Sequence, residues 1–176
     1  MKSASLALAL LILAASFVTQ FSSTALAQEK RFGAWSVGVI SGNDGLYAAT
    51  VNDSGGVLGQ YCLLSDGNCY WLLANNINCD DGTRYPVLIN ADAGASSTEI
   101  FCMKLEGRPR YAFTDFDAID RVIKASSRIG LAFPLKDGYF SVNRFSLEGA
   151  SAAVSVMRDR AASLKQNKPG TRDTRL

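Results

Sequence analysis

Turn signals recur along this chain at short intervals, and they restrict it to short elements. Asp44-Gly45, Gly55-Gly56, Asp66-Gly67, Asp81-Gly82, Ala93-Gly94, Glu106-Gly107 and Asp137-Gly138 punctuate it. Glycine supplies the positive φ that a tight turn requires, and aspartate tolerates it. The intervening runs are rich in β-branched and aromatic residues and read as strands near residues 35–40, 47–51, 57–63, 69–73, 85–90, 99–105, 129–134 and 139–147. Short strands separated by turns every ~8–12 residues are the pattern of an antiparallel sandwich or barrel. Long helices do not alternate with these strands, which excludes a doubly wound parallel sheet.

Two segments carry helical period instead. Phe116, Ile119, Val122 and Ile123 share one face, and Thr114 is placed to cap that helix with Asp117 three residues on. Ala150, Ala153, Val154, Met157, Ala161 and Leu164 follow the i, i+3, i+4, i+7 rule, with Arg158, Arg160 and Lys165 on the opposite face. The fold class expected is therefore mainly all-β: an antiparallel β-sandwich with a short inserted helix before the last two strands and a C-terminal helix. Residues 28–164 form one domain, and residues 165–176 read as a polar flexible tail.

The N-terminal segment sets the compartment. Lys2 precedes an uncharged apolar run from Leu6 to Val18, and Ala25-Leu26-Ala27 is a small-x-small cleavage site. Residues 1–27 read as a signal peptide, with Gln28 as the mature N-terminus. No later apolar run has spanning length, so the mature protein is expected to be exported without a transmembrane segment, to the periplasm, the medium or the outer envelope. Cys62, Cys69, Cys79 and Cys102 all follow the cut. An even count in an oxidising compartment implies two disulfides. Three connectivities are open; closure of local loops favours Cys62–Cys69 with Cys79–Cys102. A direct Cys62–Cys69 bridge needs a turn wider than Asp66-Gly67 alone, because a two-residue hairpin there would make the cysteines diagonal neighbours.

Candidate chemistry is sparse. The chain has no histidine, which removes the Ser-His-Asp triad, the Cys-His pair and histidine metal ligands. Gly149-Ala150-Ser151-Ala152-Ala153 has the outline of a nucleophile elbow, but Ser151 has no base of the usual kind and reads as a residue of a helix's first turn. Asn76, Asn78, Asp80 and Asp81 are oxygen-rich, yet Val87 stands where an EF-hand needs its glutamate, so a turn is the better reading. The cysteine spacings do not form a zinc knuckle. Asp115, Asp117 and Asp120 cluster where a helix dipole favours acids. Tyr61, Tyr70 and Trp71 are read as core aromatics. No catalytic, cofactor-binding or metal residue is assigned, and no cofactor is expected.

Charge is uneven along the chain. Residues 28–102 hold three basic and eight acidic residues, and residues 103–176 hold fourteen basic and eight acidic. Such a split marks either a solvated distribution or a partner surface. Nucleic acid is not an expected partner, because no recognition module is visible.

Several segments, taken in order, resemble the invasion-associated locus B family of exported bacterial proteins. Phe32-Gly33-Ala34-Trp35-Ser36-Val37 resembles its opening F-G-x-W-x-V. Phe116 to Lys124 resembles its short amphipathic helix, and Arg128-Ile129-Gly130-Leu131-Ala132-Phe133 its hydrophobic strand. Phe145-Ser146-Leu147-Glu148-Gly149-Ala150-Ser151-Ala152-Ala153 resembles its closing F-S-L-x-G-x-x-x-A. Gly38 and Val39 stand where that family often has a cysteine, and Cys102 has no near partner, so its disulfide scheme does not carry over. The resemblance implies an all-β envelope protein, linked in some pathogens with host-cell invasion and without established catalytic residues. The function expected is a non-catalytic exported protein binding a macromolecular partner, protein or glycan. The alternatives are a carboxylate-dependent envelope glycan hydrolase and a disulfide-stabilised inhibitor presenting residues 65–68 or 91–97. Oligomeric state is left open.

Overall fold

The computed structural model describes residues 29–105, 107–135 and 138–166. The expected signal peptide, residues 1–27, and the end of the expected tail, residues 167–176, lie outside the described residues. Ten strands form a single antiparallel sheet: β1 Lys30–Phe32, β2 Trp35–Val39, β3 Gly45–Val51, β4 Val57–Leu63, β5 Cys69–Ala74, β6 Arg84–Ala91, β7 Gly94–Leu105, β8 Arg108–Phe113, β9 Arg128–Pro134 and β10 Phe140–Ser146. Their order across the sheet is β1-β2-β3-β4-β5-β8-β7-β6-β9-β10. Helix α1, Phe116–Ala125, precedes the last two strands, and α2, Ala150–Gln166, follows them. This is the expected mainly antiparallel, sandwich-like all-β fold with one short and one C-terminal helix.

Alternation builds the core. Trp35 and Val37 on β2, Leu46 and Ala48 on β3, Leu58 and Cys62 on β4, and Trp71 and Leu73 on β5 all point to one buried face. From the second half of the sheet, Val87, Ile89, Ile100, Tyr111, Ile129, Leu131, Phe133 and Phe145 join the same cluster. Ile119 and Ile123 of α1 and Ala150, Ala153, Val154 and Met157 of α2 complete it. A sheet this wide needs its apolar face covered. It curls so that β10 comes against β3, and the corner is fastened where Trp35 Nε1 donates to Ser146 O at 3.0 Å and Ala34 N to Glu148 O at 3.1 Å.

The helices differ from expectation at their ends. Asp115, not Thr114, caps α1, its side chain accepting from Ala118 N. Thr114 instead donates its hydroxyl to Glu99 O. Both residue types suit a cap, and the chain reaches helical geometry one residue later than the capping-box spacing implies. In α2 the buried stripe stops at Met157, with Ala161 half-buried and Leu164 exposed; the last turns lie beside the hairpin end joining β4 to β5, with the Lys165 side chain against Gly67. The helix continues through Lys165 and Gln166, two residues into the expected tail.

Two strands were not expected. β1 is short and basic. β8, Arg-Pro-Arg-Tyr-Ala-Phe, carries a proline and two arginines before its three buried residues. Strand β7 begins at Gly94 rather than near residue 99, so Asp92-Ala93 is a two-residue turn between Ala91 and Gly94. The segment 91–97 is therefore mostly strand and not a protruding loop.

Gly149 joins β10 to α2 at φ +85°, and a Cβ there would collide with the carbonyl of Phe32. Only glycine meets both demands. Gly149→Ala should lower unfolding stability by about 2 kcal/mol or more, read as a drop in the thermal midpoint with the two disulfides intact.

Candidate functional site

The register of β2 to β5 places an aromatic row on the face opposite the core. Gly38 lies across from Tyr47, Tyr47 from Tyr61, and Tyr61 from Tyr70. The Tyr47 and Tyr61 ring centroids are 6.0 Å apart with planes 31° from parallel. All three tyrosines are half-buried, and none belongs to the core cluster or packs against it. The Tyr47 ring lies back across β2, where a Cβ on Gly38 would come 2.6 Å from its Cζ. Beside the row run Ala49, Gly59, Leu72 and Ala112, again in register, and beyond them Val51, Val57 and Ala74. Strands β3, β4 and β5 contain no charged residue on either face. Ala49, Leu72 and Ala112 are themselves buried, at 6%, 2% and 1% exposure, so what this face presents to solvent is the half-exposed tyrosine rings, with Val51 at 64% exposure beyond them.

Two depressions flank the row. One, of about 410 Å³, is lined by Val39, Ile40, Tyr47, Val51, Val57 and Tyr61 among others. The other, of about 490 Å³, opens where β5 and β8 part. Those strands pair only at Leu72 with Ala112 and Leu73 with Tyr111. Past that point Tyr70, Phe101, Phe113 and Phe116 line the gap, with Arg84, whose guanidinium is ion-paired to Glu99. Tyr70 Oη donates to Asp66 Oδ2 at 2.7 Å. That bond is the main cause raising the Tyr70 hydroxyl above its ordinary value. Tyr47 is raised chiefly by burial and then by the charge of Glu29. Both remain neutral phenols at physiological pH.

One disulfide holds the Tyr70 end of the row, and the other fixes the crossover beyond it. Cys62 bonds Cys69 directly across β4 and β5, with Cα atoms 4.0 Å apart. The turn between them is wide, closed by Leu63 N to Asn68 O at 2.9 Å and Gly67 N to Leu63 O at 3.0 Å. Cys79 bonds Cys102 and ties the crossover from β5 to β6 onto β7. Asn76, Asn78, Asp80 and Asp81 all lie in this crossover, a turn region in which Thr83 N donates to Asp80 O. Among the described residues no group of three or more His, Cys, Asp or Glu side chains comes together to hold a metal.

The other residues singled out by sequence are dispersed. Ser151 is exposed in the first turn of α2. Trp71 is core, 1% exposed, whereas Tyr61 and Tyr70, read as core, face outward. Strand phase separates them: Tyr61 falls between the inward Gln60 and Cys62, and Tyr70 precedes the inward Trp71. Tyr47 was missed. Its signal was its phase, opposite to Leu46 and Ala48.

Of the three aspartates, Asp115 caps, Asp117 is exposed, and Asp120 is built into the core's polar edge. Arg158 on α2 donates to Asp120 Oδ1 at 2.5 Å and to Gln60 Oε1 at 2.7 Å. Trp71 Nε1 lies 3.3 Å from the same Asp120 oxygen, and Lys124 pairs with Oδ2 at 2.7 Å. Burial opposes ionisation of Asp120, but the hydrogen bonds and charges of Lys124 and Arg158 outweigh it and hold the carboxyl below the usual range. This aspartate is a structural anion.

No family model matches the chain, and no curated protein sequence does. Among solved structures it is similar to the invasion associated protein b from Bartonella henselae. The TM-score is 0.54 at 16% identity, with 80% of this chain and 100% of that chain covered. At that identity the likeness is one of fold.

Because Asp120 is depressed in the folded state, its ion pairs stabilise above the unfolded carboxylate value of about 4. That contribution is lost as pH falls through the lower folded value. Chemical denaturation from pH 6 to pH 2 should therefore show a shallower acid loss in Asp120→Asn than in wild type, with the variant weaker at neutral pH because Arg158 loses its partner.

Proposed function

We propose that this chain is a non-catalytic exported envelope protein that binds a macromolecular partner through the outward face of β2–β5. The observation that carries the reading is the Tyr47–Tyr61–Tyr70 row on three uncharged strands. Aromatic rings offer large contact area at little conformational cost, and tyrosine adds a hydroxyl for orientation. The half-exposed tyrosines and the exposed Val51 are the apolar surface on which such a partner would rest.

The partner's chemistry follows from the surroundings. Between Arg31 and Arg84 the chain has five aspartates and no lysine or arginine. A polyanion finds no counter-charge there. A neutral glycan can stack its apolar ring faces on the tyrosines, and an apolar or basic protein segment can lie along the same row. The two disulfides and the absence, among the described residues, of a helix long and apolar enough to cross a membrane support an exported protein in the periplasm or at the outer envelope. The fold shared with an invasion associated protein supports a place in that envelope and makes host interaction the physiological setting to examine. The non-catalytic reading is supported by the lack of histidine and by the structural use of Asp115 and Asp120.

A photo-crosslinking residue at position 61, introduced into cells that export the protein, is expected to trap a discrete protein or glycan in the intact envelope. The same residue at Asp159 on α2 should not. Tyr47→Ala combined with Tyr61→Ala should weaken capture at least about tenfold, the scale of one or two aromatic anchors, with the thermal midpoint little changed. Equal trapping from both positions, or undiminished capture by the double variant, would sink the reading.

A further inference from the structure

The sheet has two edges, and they are treated differently. β1 is three residues long and carries Lys30 and Arg31, the charge and brevity that discourage pairing with another chain. β10 is seven residues long, in unbroken register with β9, and contains neither lysine nor proline. Its outward side chains include Phe140 and Val142, 61% and 52% exposed.

The hydrogen-bond phase of this edge can be read from its ends. Leu135 N donates to Tyr139 O at 2.7 Å and Leu147 N to Ser127 O at 2.8 Å. Both pairs continue the β9–β10 register. In an antiparallel ladder bonded and non-bonded pairs alternate, so Ser141, Asn143 and Phe145 bond to β9. Phe140, Val142, Arg144 and Ser146 direct their N–H and C=O groups away from it, to the open side. Of these, the Ser146 carbonyl is already taken by Trp35 Nε1. The free template is the stretch from Phe140 to Arg144, centred on Val142.

We propose that β10 pairs antiparallel with β10 of a second copy of this chain, with the two-fold axis at Val142. This register uses the free groups and leaves the Trp35–Ser146 bond intact. It forms three hydrogen-bonded pairs: Val142 with its own counterpart, and Phe140 with Arg144 in both senses. The side chains are self-complementary. The guanidinium of Arg144, the strand's single charge, meets the Phe140 ring of the other copy rather than a like charge. Val142 packs on Val142, and on the inner face Ser141 meets Asn143. A shift of the axis to Asn143 pairs Phe140 with Ser146, whose carbonyl is occupied. The interface is closed and isologous, so it stops at a dimer.

The register gives a direct test. A hydrogen-bonded antiparallel pair sets its Cα atoms ~5.5 Å apart, within disulfide reach. The four native cysteines are already bridged. In a glutathione redox buffer, Val142→Cys is expected to give a covalent dimer at least about tenfold faster than Arg144→Cys, whose counterpart lies four residues off register along the strand. Sedimentation of the disulfide-intact wild type should show a concentration-dependent dimer. Val142→Pro, which removes an N–H that β9 does not use, should shift it to monomer with little change in thermal midpoint. Equal crosslinking of the two cysteine variants, or a wild type that stays monomeric up to ~1 mM, overturns the proposal.

Discussion

A ten-stranded sheet with one continuous apolar face has to find cover, and here it comes from the sheet's own curl and from both helices. Helix α2 lies against β1 to β4 on the inner side, and a single arginine on it reaches the buried layer. Arg158 is placed over the Phe116 ring, 5.5 Å from its centroid, and spans from Gln60 on β4 to Asp120 on α1. Asp120 in turn accepts from Trp71 on β5. One guanidinium thus joins both helices to the centre of the sheet. Truncating it would leave a partly buried carboxylate and a buried glutamine amide facing each other across the gap, which costs more than the ion pair itself contributes. At the other end of α2, Gly149 admits the carbonyl of Phe32, and the Trp35–Ser146 bond closes the corner. These two fastenings set the curvature.

Committing both helices to the inner side leaves the outer side to the strands alone. Along β6 to β10 that side is mixed: Arg84, Glu99, Asn90, Arg128 and Arg144 stand among Leu88, Phe140 and Val142, which are 60%, 61% and 52% exposed. Along β3 to β5 it has no charge at all, and the difference follows the uneven charge of the sequence. The Cys62–Cys69 bridge and the Asp66–Tyr70 hydrogen bond hold one end of the tyrosine row. A hairpin tip of this kind, rich in small polar residues, would otherwise be among the first parts of the molecule to open. Stapling it keeps Tyr70 beside the gap where β5 and β8 diverge. The bridge thereby shapes the outer face more than it braces the core, whereas Cys79–Cys102 secures the one crossover that takes the chain past β8 and β7 to β6.

Much of the fold was legible because strands and turns announce themselves locally. Val57–Leu63 is delimited by Gly55-Gly56 and Asp66-Gly67, and α1 by a strong apolar stripe on a polar background. Strand β8 was illegible because Pro109 and two arginines mask its pattern; its place is fixed by pairing with β7, a tertiary fact. The candidate site was hidden for a different reason. Reading which way a strand faces depends on polar residues marking the outside. In β3 to β5 both faces are apolar or neutral. The one amide side chain within β4, Gln60, points inward, where Arg158, ninety-eight residues away, donates to its Oε1, while its Nε2 is buried without a hydrogen-bond partner. Phase read from polarity would therefore turn β4 over and bury Tyr61. The pairing of Cys62 with Cys69 corrects this: Cys62 is in the core, so Tyr61 beside it is out.

Pairing at β10 would also govern how the tyrosine rows are presented. The curl brings β10 over β3 with their inner faces toward each other, so the outer sides of the two layers point in opposite directions. Antiparallel pairing of two β10 strands takes place about an axis perpendicular to the local sheet, and such an axis preserves the direction of the sheet normal. The two tyrosine rows of a dimer then face the same way, both on the side remote from the β10 layers. A partner that is itself extended or repetitive, as an envelope polymer is, could engage both at once. The second contact would form at an effective concentration set by the dimer's geometry rather than by diffusion, and avidity could exceed the single-site affinity by ~10²–10⁴ without any new contact. A weak, flat, neutral aromatic surface is the kind of site for which that gain matters, since it offers few directional bonds. A monomer would have to hold the same polymer with three tyrosines alone.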